Sequence, residues 1–220
     1  MTDQTAFSVI IPALNEEATV GGVVRAALRA PGAVEVIVVD NGSSDRTAEI
    51  AAREGARAVL CSERGKGQAL QCGLAHVAND ELPVVFLDAD LVSLEAHHIS
   101  SLINGLGNGR EMACGLLSDT PARRLLHGMR SWRYIPTLTG QRAVSRRLLA
   151  DLSPRDFRGY DIEAALNWHG RRHAAYVHLQ GVSATSRGKK ATRSGKRSPS
   201  LTVAIAYVKL TFRSILPSGS

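Results

Sequence analysis

Cysteine is scarce in this sequence and does not pair up. Cys61, Cys72 and Cys114 are odd in number, and none stands in a C-x-x-C spacing. That excludes a disulfide-stapled secreted scaffold and a thiolate zinc site, and it predicts free thiols in a reducing, cytoplasmic setting. Aromatic residues are only 5% of the chain. Trp132, Tyr134 and Trp168 lie among arginines, but no nucleic-acid-binding motif accompanies them, so nucleic acid is not an expected partner. Long apolar runs are missing too: no window approaches 18 uncharged apolar residues, which predicts no membrane-spanning helix. The opening "MTDQTAFSVI" has no basic region before an apolar one, so no secretion signal is expected. Solenoid periods are absent.

What remains suits one sizeable globular domain. The chain has 220 residues, 44% of them hydrophobic, enough for an ordinary core. Charge is unevenly spread. Residues 1–110 carry 8 Lys and Arg against 14 Asp and Glu, a net of −6, whereas residues 111–220 carry 19 against 6, a net of +13. An acidic half followed by a basic one suggests an anionic ligand, a membrane surface or nucleic acid for the second half.

Along the chain, uninterrupted apolar runs alternate with helical patterns. Val9 to Ile11 precede a helical face of Val20, Val23, Val24, Ala27 and Leu28; Val36 to Val39 precede a helix capped by Ser44 or Asp45 and closed by Gly55. "ARAVLCS" and "LPVVFLD" are further strands, and a helix through Ala78 follows "ERGKG". Runs without polar alternation fit strands buried on both faces, so the fold class is α/β, with a mostly parallel central sheet flanked by helices. Farther on, "TPARRLLHGMRSWRYIP" is helical and basic, "LTGQRAVSRRLLADL" is a turn and a helix, "GYDIEAALNWHGRRHA" a helix and "AYVHLQGVSA" a strand. "TSRGKKATRSGKRSPS" has no apolar periodicity and is a loop.

In open α/β sheets ligands bind beyond the carboxyl ends of the strands, where Asp40, Asp88 and Asp90 all fall. Asp88 and Asp90 are two apart and can converge on one point, where a divalent cation would relieve their repulsion. Magnesium and manganese take such hard oxygen ligands, together with substrate phosphates. Asp40 can accept from a base ring N–H, that of uracil or of guanine. Lys66 stands between two glycines at a helix start, which suits an anion, although "ERGKGQAL" satisfies neither the P-loop nor the dinucleotide pattern. Asp45 reads as a helix cap, and the adjacent His97 and His98 read as surface residues, since neighbours on a helix face apart.

Taken in order, "VIIPALNEE", "VIVVDNGSSDRT", "GKGQAL..GL" and "FLDADL" resemble the motifs of family-2-type glycosyltransferases with the GT-A fold. "TGQRAVSRRLL" and "GYDIEAALN" are similar to acceptor-side segments of polyprenyl-phosphate sugar transferases and of glucosyl-3-phosphoglycerate synthase. The resemblance implies a Rossmann-like GT-A domain with a nucleotide-sugar half at 1–115, an acceptor half at 116–183, and a basic loop with an amphipathic segment at 184–220. It implies that Pro12, Ala13, Leu14, Asn15 and Glu16 line the nucleoside, that Asp40 and Asn41 meet the base (uracil being favoured), and that Lys66 contacts the nucleotide. Asp88 and Ala89 would lie beside the ribose, with Asp90 and Asp88 holding Mg2+ or Mn2+. Many relatives add a C-terminal His, yet "QGVSATSR" has none; His173 and His178 are the alternatives.

The expected reaction moves a sugar from a nucleotide diphosphate sugar, a UDP-sugar by preference, with cation and Lys66 stabilising the leaving group. Asp161 or Glu163 would serve as general base for an alcohol acceptor. A phosphate acceptor, with a second pKa of about 6, needs none. The favoured acceptor is a polyprenyl phosphate at the cytoplasmic membrane face. The alternatives are a small phosphorylated acid or natural product, and a non-catalytic module for anionic lipid or nucleic acid. Stereochemical outcome and oligomeric state stay open.

Overall fold

The computed structural model describes residues 5–117, 139–157, 161–170 and 174–185, and for Asp161 the backbone alone. The sequence expectations for 120–136, for the basic stretch 187–197, for 201–216 and for His173 fall outside the described residues.

The elements run β1 (Phe7–Ala13), α1 (Val20–Leu28), β2 (Ala33–Asp40), α2 (Thr47–Arg53), β3 (Arg57–Leu60), α3 (Lys66–Leu74), β4 (Val84–Phe86), β5 (Leu91–Val92) and α4 (Ala96–Asn104). They continue with β6 (Met112–Leu117), β7 (Arg142–Val144), α5 (Arg146–Ala150), a 3-10 turn (Pro154–Phe157), α6 (Asp161–Gly170), β8 (Ala174–Leu179) and β9 (Ser183–Ala184). Seven strands form one sheet in the order β3-β2-β1-β4-β7-β6-β8. β1, β2, β3 and β4 pair in parallel, as do β6 and β8; β7 is inserted antiparallel between β4 and β6. β5 and β9 make a separate two-stranded ribbon.

The unbroken apolar runs are explained by two cores, one on each face of the sheet. Successive strand residues point to opposite faces, so Val9 and Ile11, Val36 and Val38, Val85 and Leu87 enter the core shared with α1 and α4. Their neighbours Ile10, Ile37, Val39, Val84 and Phe86 enter the core shared with α3, α5 and α6. Val20, Val23, Val24 and Ala27 of α1 are buried as their spacing predicts. Gly55, at φ +99°, lies just past the end of α2.

Two local expectations need correcting. "TGQRAVSRRLL" holds a strand before its helix, because Ala143 and Val144 are the only apolar residues that show it and Arg142 conceals the third position. His98 is buried rather than exposed: its Nδ1 accepts from the Glu95 N–H at 3.0 Å and its Nε2 donates to the Gln180 carbonyl at 3.0 Å. Burial pushes its pKa below the ordinary imidazole value, so it is a neutral structural group. His97 is exposed, as expected. All three cysteines are free thiols. Among the described residues no helix is long and apolar enough to cross a membrane.

Candidate active site

Because β1, β2 and β4 are parallel, their carboxyl ends open on one edge of the sheet, and Ala13 lies in register with Asp40. The loops leaving β1 and β2 are stitched together there. Asn15, held at φ 57°, accepts from the Ser44 N–H on its Oδ1 at 2.8 Å, and its own N–H donates to Ser43 Oγ at 2.9 Å. The Glu16 N–H donates to Thr47 Oγ1 at 2.8 Å and the Glu17 N–H to Asp45 Oδ2 at 3.2 Å. Asp45 also accepts the Thr47 N–H on Oδ1 at 3.0 Å, but it lies one residue outside the N-cap of α2, which is Arg46 without a side-chain cap bond, so the expected Asp45 cap is not made. Asp40 is buried, with Oδ1 accepting from the Ser43 N–H and hydroxyl. Asn41 spends both ends of its amide, donating to the Glu63 carbonyl at 2.6 Å and accepting the Gly65 N–H at 2.7 Å. Those two bonds fix the turn before α3, where Gly65 takes φ +136°, a region that disfavours side chains.

That turn aims Lys66 across the site. Its ammonium donates to Asp88 Oδ1 at 2.7 Å and to Glu163 Oε1 at 2.8 Å. The lysine and Glu163 side chains are 22% and 11% exposed, so water screens this cluster weakly. Burial alone would lower the lysine pKa, but the Asp88 and Glu163 carboxylates reverse this and hold it well above the ordinary value. The other oxygen of Asp88 accepts from Gln141 Nε2 at 2.7 Å. Because a carboxylate only accepts, Gln141 must present its NH2 there, which turns Oε1 toward the Thr139 hydroxyl. Gly140 lies so close that a Cβ added to it would fall inside the Asp88 carboxylate.

Asp90 lies two residues beyond Asp88 and is partly buried. Glu16 feels both. Burial raises its carboxyl pKa, its bond from the Thr19 hydroxyl opposes this, and the negative fields of Asp90, Asp45 and Asp88 raise it further. The structure therefore brings Glu16, Asp40, Lys66, Asp88, Asp90 and Glu163 to one edge of the sheet. Pro12 is half-buried, Ala13 and Ala89 are buried beneath it, and Leu14 is exposed above. Asp161 starts the helix that carries Glu163. His178 is exposed on β8. Among the described residues no three His, Cys, Asp or Glu side chains gather as a metal cluster.

Sequence reasoning missed Gln141 and Arg142. Arg142 is buried, donating from Nε to the Thr139 carbonyl at 2.8 Å and from a terminal nitrogen to Asn167 Oδ1 at 2.7 Å. Asn167 is one helical turn from Glu163, so both lie on one face of α6, Asn167 held by Arg142 of β7 and Glu163 by Lys66 at the start of α3. The i, i+4 spacing of Glu163 and Asn167 was the available signal.

The profile described as glycosyl transferase family 2 matches residues 8–147. An uncharacterized glycosyltransferase of Mycobacterium tuberculosis is 29% identical over 188 residues, covering 74% of this chain and 81% of its own. A 4,4'-diaponeurosporenoate glycosyltransferase of Staphylococcus aureus is 31% identical over 149 residues, covering 64% of this chain but only 39% of its own. Among solved structures, glucosyl-3-phosphoglycerate synthase from Mycobacterium tuberculosis, in complex with Mn2+, UDP-glucose and phosphoglyceric acid, superimposes with a TM-score of 0.73 at 29% identity. The alignment covers 98% of this chain and 82% of that one. The same enzyme with Mg2+ and UDP gives 0.70 at 27% identity, over 98% and 81%.

Proposed function

The chain belongs to glycosyl transferase family 2, and from that membership we propose that it moves a hexosyl group from a UDP-sugar to a phosphorylated acceptor, with Mg2+ or Mn2+ as cofactor. The observation that carries the reading is the surplus of negative charge where β1 and β4 end. Glu16 is raised by burial and by Asp90, Asp45 and Asp88 together, and Lys66 is the cation that Asp88 and Glu163 share. A site of that sign suits a divalent cation. Asp90 would hold it, with Asp88 beside it, and the bound cation would supply positive charge to a departing diphosphate.

The chain's own groups do the rest. Asp40 keeps Oδ2 clear of its Ser43 bonds and would accept the uracil N3–H. The stitched loop from Pro12 to Glu16, with Asn41 behind it, would form the wall of the nucleoside pocket, and Ala89 its floor below the ribose. Lys66 would follow negative charge from the carboxylates to the leaving diphosphate. Glu163, whose Oε1 is held by Lys66, would take an acceptor hydroxyl proton on Oε2, with Asp161 two residues before it in the same turn. A phosphate nucleophile would need no such transfer, and Glu163 would then position Lys66.

The small acceptor is supported by the solved relatives, whose complexes include phosphoglyceric acid and glycerol 3-phosphate. The polyprenyl phosphate reading is supported by the sequence alone: Arg187, Lys189, Lys190, Arg193, Lys196 and Arg197, followed by the amphipathic stretch 201–216, suit an anionic membrane face. The test is turnover of UDP-glucose and other nucleotide sugars with Mg2+ or Mn2+. Phosphoglycerate and a short polyprenyl phosphate then compete as acceptors, with products weighed by mass spectrometry. Release of UDP from any hexose donor supports the donor assignment; inertness toward every UDP-sugar sinks it. The mass of the product chooses the acceptor.

A further inference from the structure

The β5–β9 ribbon lies apart from the main sheet, and its register shows what it positions. Leu91 pairs with Ala184 and Val92 with Ser183, and the next residue, Thr185, donates its N–H to the Asp90 carbonyl at 3.0 Å. Thr185 thereby stands opposite Asp90 across the ribbon, where facing residues share one side. Its hydroxyl oxygen is the buried side-chain polar atom that, among the described residues, has no hydrogen-bond partner. Buried hydroxyls are nearly always paired, and threonine finds a backbone carbonyl easily. An orphan at this spot, where the charge surplus calls for a cation, points to a partner that comes from solution.

We propose that Thr185 Oγ1 is a neutral oxygen ligand of the cation held by Asp90; the inference rests on the metal-dependent transfer proposed above. A threonine hydroxyl is a hard donor of the kind that holds Mg2+ beside nucleotide phosphates in other folds. It stands in the segment "QGVSATSR", which contains no histidine. With no third His, Cys, Asp or Glu gathered there among the described residues, the ligands are two carboxylates, one hydroxyl and the donor's phosphates. An all-oxygen set serves Mg2+ and Mn2+ alike and gives no imidazole preference for softer metals.

The experiment is calorimetric titration of Mn2+ into the full chain with UDP present, for the wild type, Thr185→Val and Thr185→Ser, alongside melting curves without metal. Thr185→Val keeps the shape and removes the oxygen. It should weaken Mn2+ binding by about tenfold while leaving the metal-free melting temperature unchanged or higher, because an unpaired hydroxyl has gone. Thr185→Ser should bind within about twofold of the wild type. If Thr185→Val does not fold, Thr185→Ala carries the same expectation. Wild-type uptake matched by the valine or alanine variant overturns this inference alone. A wild type that takes up no Mn2+ with UDP overturns the functional reading as well.

Discussion

The two halves of the main sheet, β1 to β4 and β6 to β8, are built on different plans. From β1 to α3 the polar groups at the strand ends are held by near neighbours in a stitched pair of loops, Asn15 with Ser43 and Ser44, Glu16 with Thr47, Asn41 with Glu63 and Gly65. From β7 to α6 two of them are held by partners in the first half, Gln141 by Asp88 and Glu163 by Lys66, while Arg142 binds Asn167 within the second. The first half can shape its pocket alone. The second has its site geometry only when docked on the first, so damage to the shared contacts should travel between halves, whereas damage to the stitching should stay local.

The largest effect should come from Asp90, the carboxylate proposed to hold the cation. Asp90→Asn is expected to cut turnover by about 10²- to 10³-fold with little change in urea midpoint, since it sits outside both cores. Full activity of this variant in chelator would remove the metal from the mechanism. Next comes the bridge between halves. Lys66→Met leaves two carboxylates facing each other and should cost about 3 kcal/mol of stability along with most activity. In a double-mutant cycle with Glu163→Gln it should show coupling of about 1–2 kcal/mol. Asn15→Ala, by contrast, should cost about 1 kcal/mol and add independently to Glu163→Gln; equal coupling in both cycles would erase the distinction between the halves. Gly140→Ala should cost about 1–3 kcal/mol through overpacking and lower kcat by displacing Asp88, a shift that Asp88→Asn ought to mask.

The smallest effect concerns pH. His98, beside exposed His97 and Glu95, has its folded pKa lowered by burial, so the unfolded chain binds the proton more readily. Its contribution is complete above the unfolded value of about 6.5 and is lost as pH falls through the folded one. Melting curves should drop between neutral pH and pH 5, and His98→Gln should flatten that drop.

Legibility followed the same division. Asp40 and Asp88 could be read from the sequence because each ends a continuous apolar run, and such runs mark strands buried on both faces; Asp90 could be read from its spacing to Asp88. Lys66 could be read from its glycines. The acceptor side was harder because long-range bonds leave no periodicity. A three-residue strand headed by a buried arginine looks like a turn, and a glutamine that orients an aspartate 53 positions away looks like any surface amide. His98 was misread for a related reason: a histidine whose two nitrogens are both satisfied by backbone groups behaves as core, which neighbour-by-neighbour reasoning cannot see.

The antiparallel insertion of β7 has a consequence for the nascent chain. β4 is three buried apolar residues, Val84, Val85 and Phe86, and one of its edges is covered only when Val144 arrives opposite Val84. Translation of the intervening 60 residues takes roughly 3–12 s at ribosomal speeds. Throughout that interval the nearly complete platform of β1 to β4 presents a sticky, unpaired rim to its surroundings. Pausing or premature termination between residues 87 and 141 should therefore yield aggregates rather than a soluble half-enzyme, and a chaperone that shields this rim should raise the yield of full-length protein.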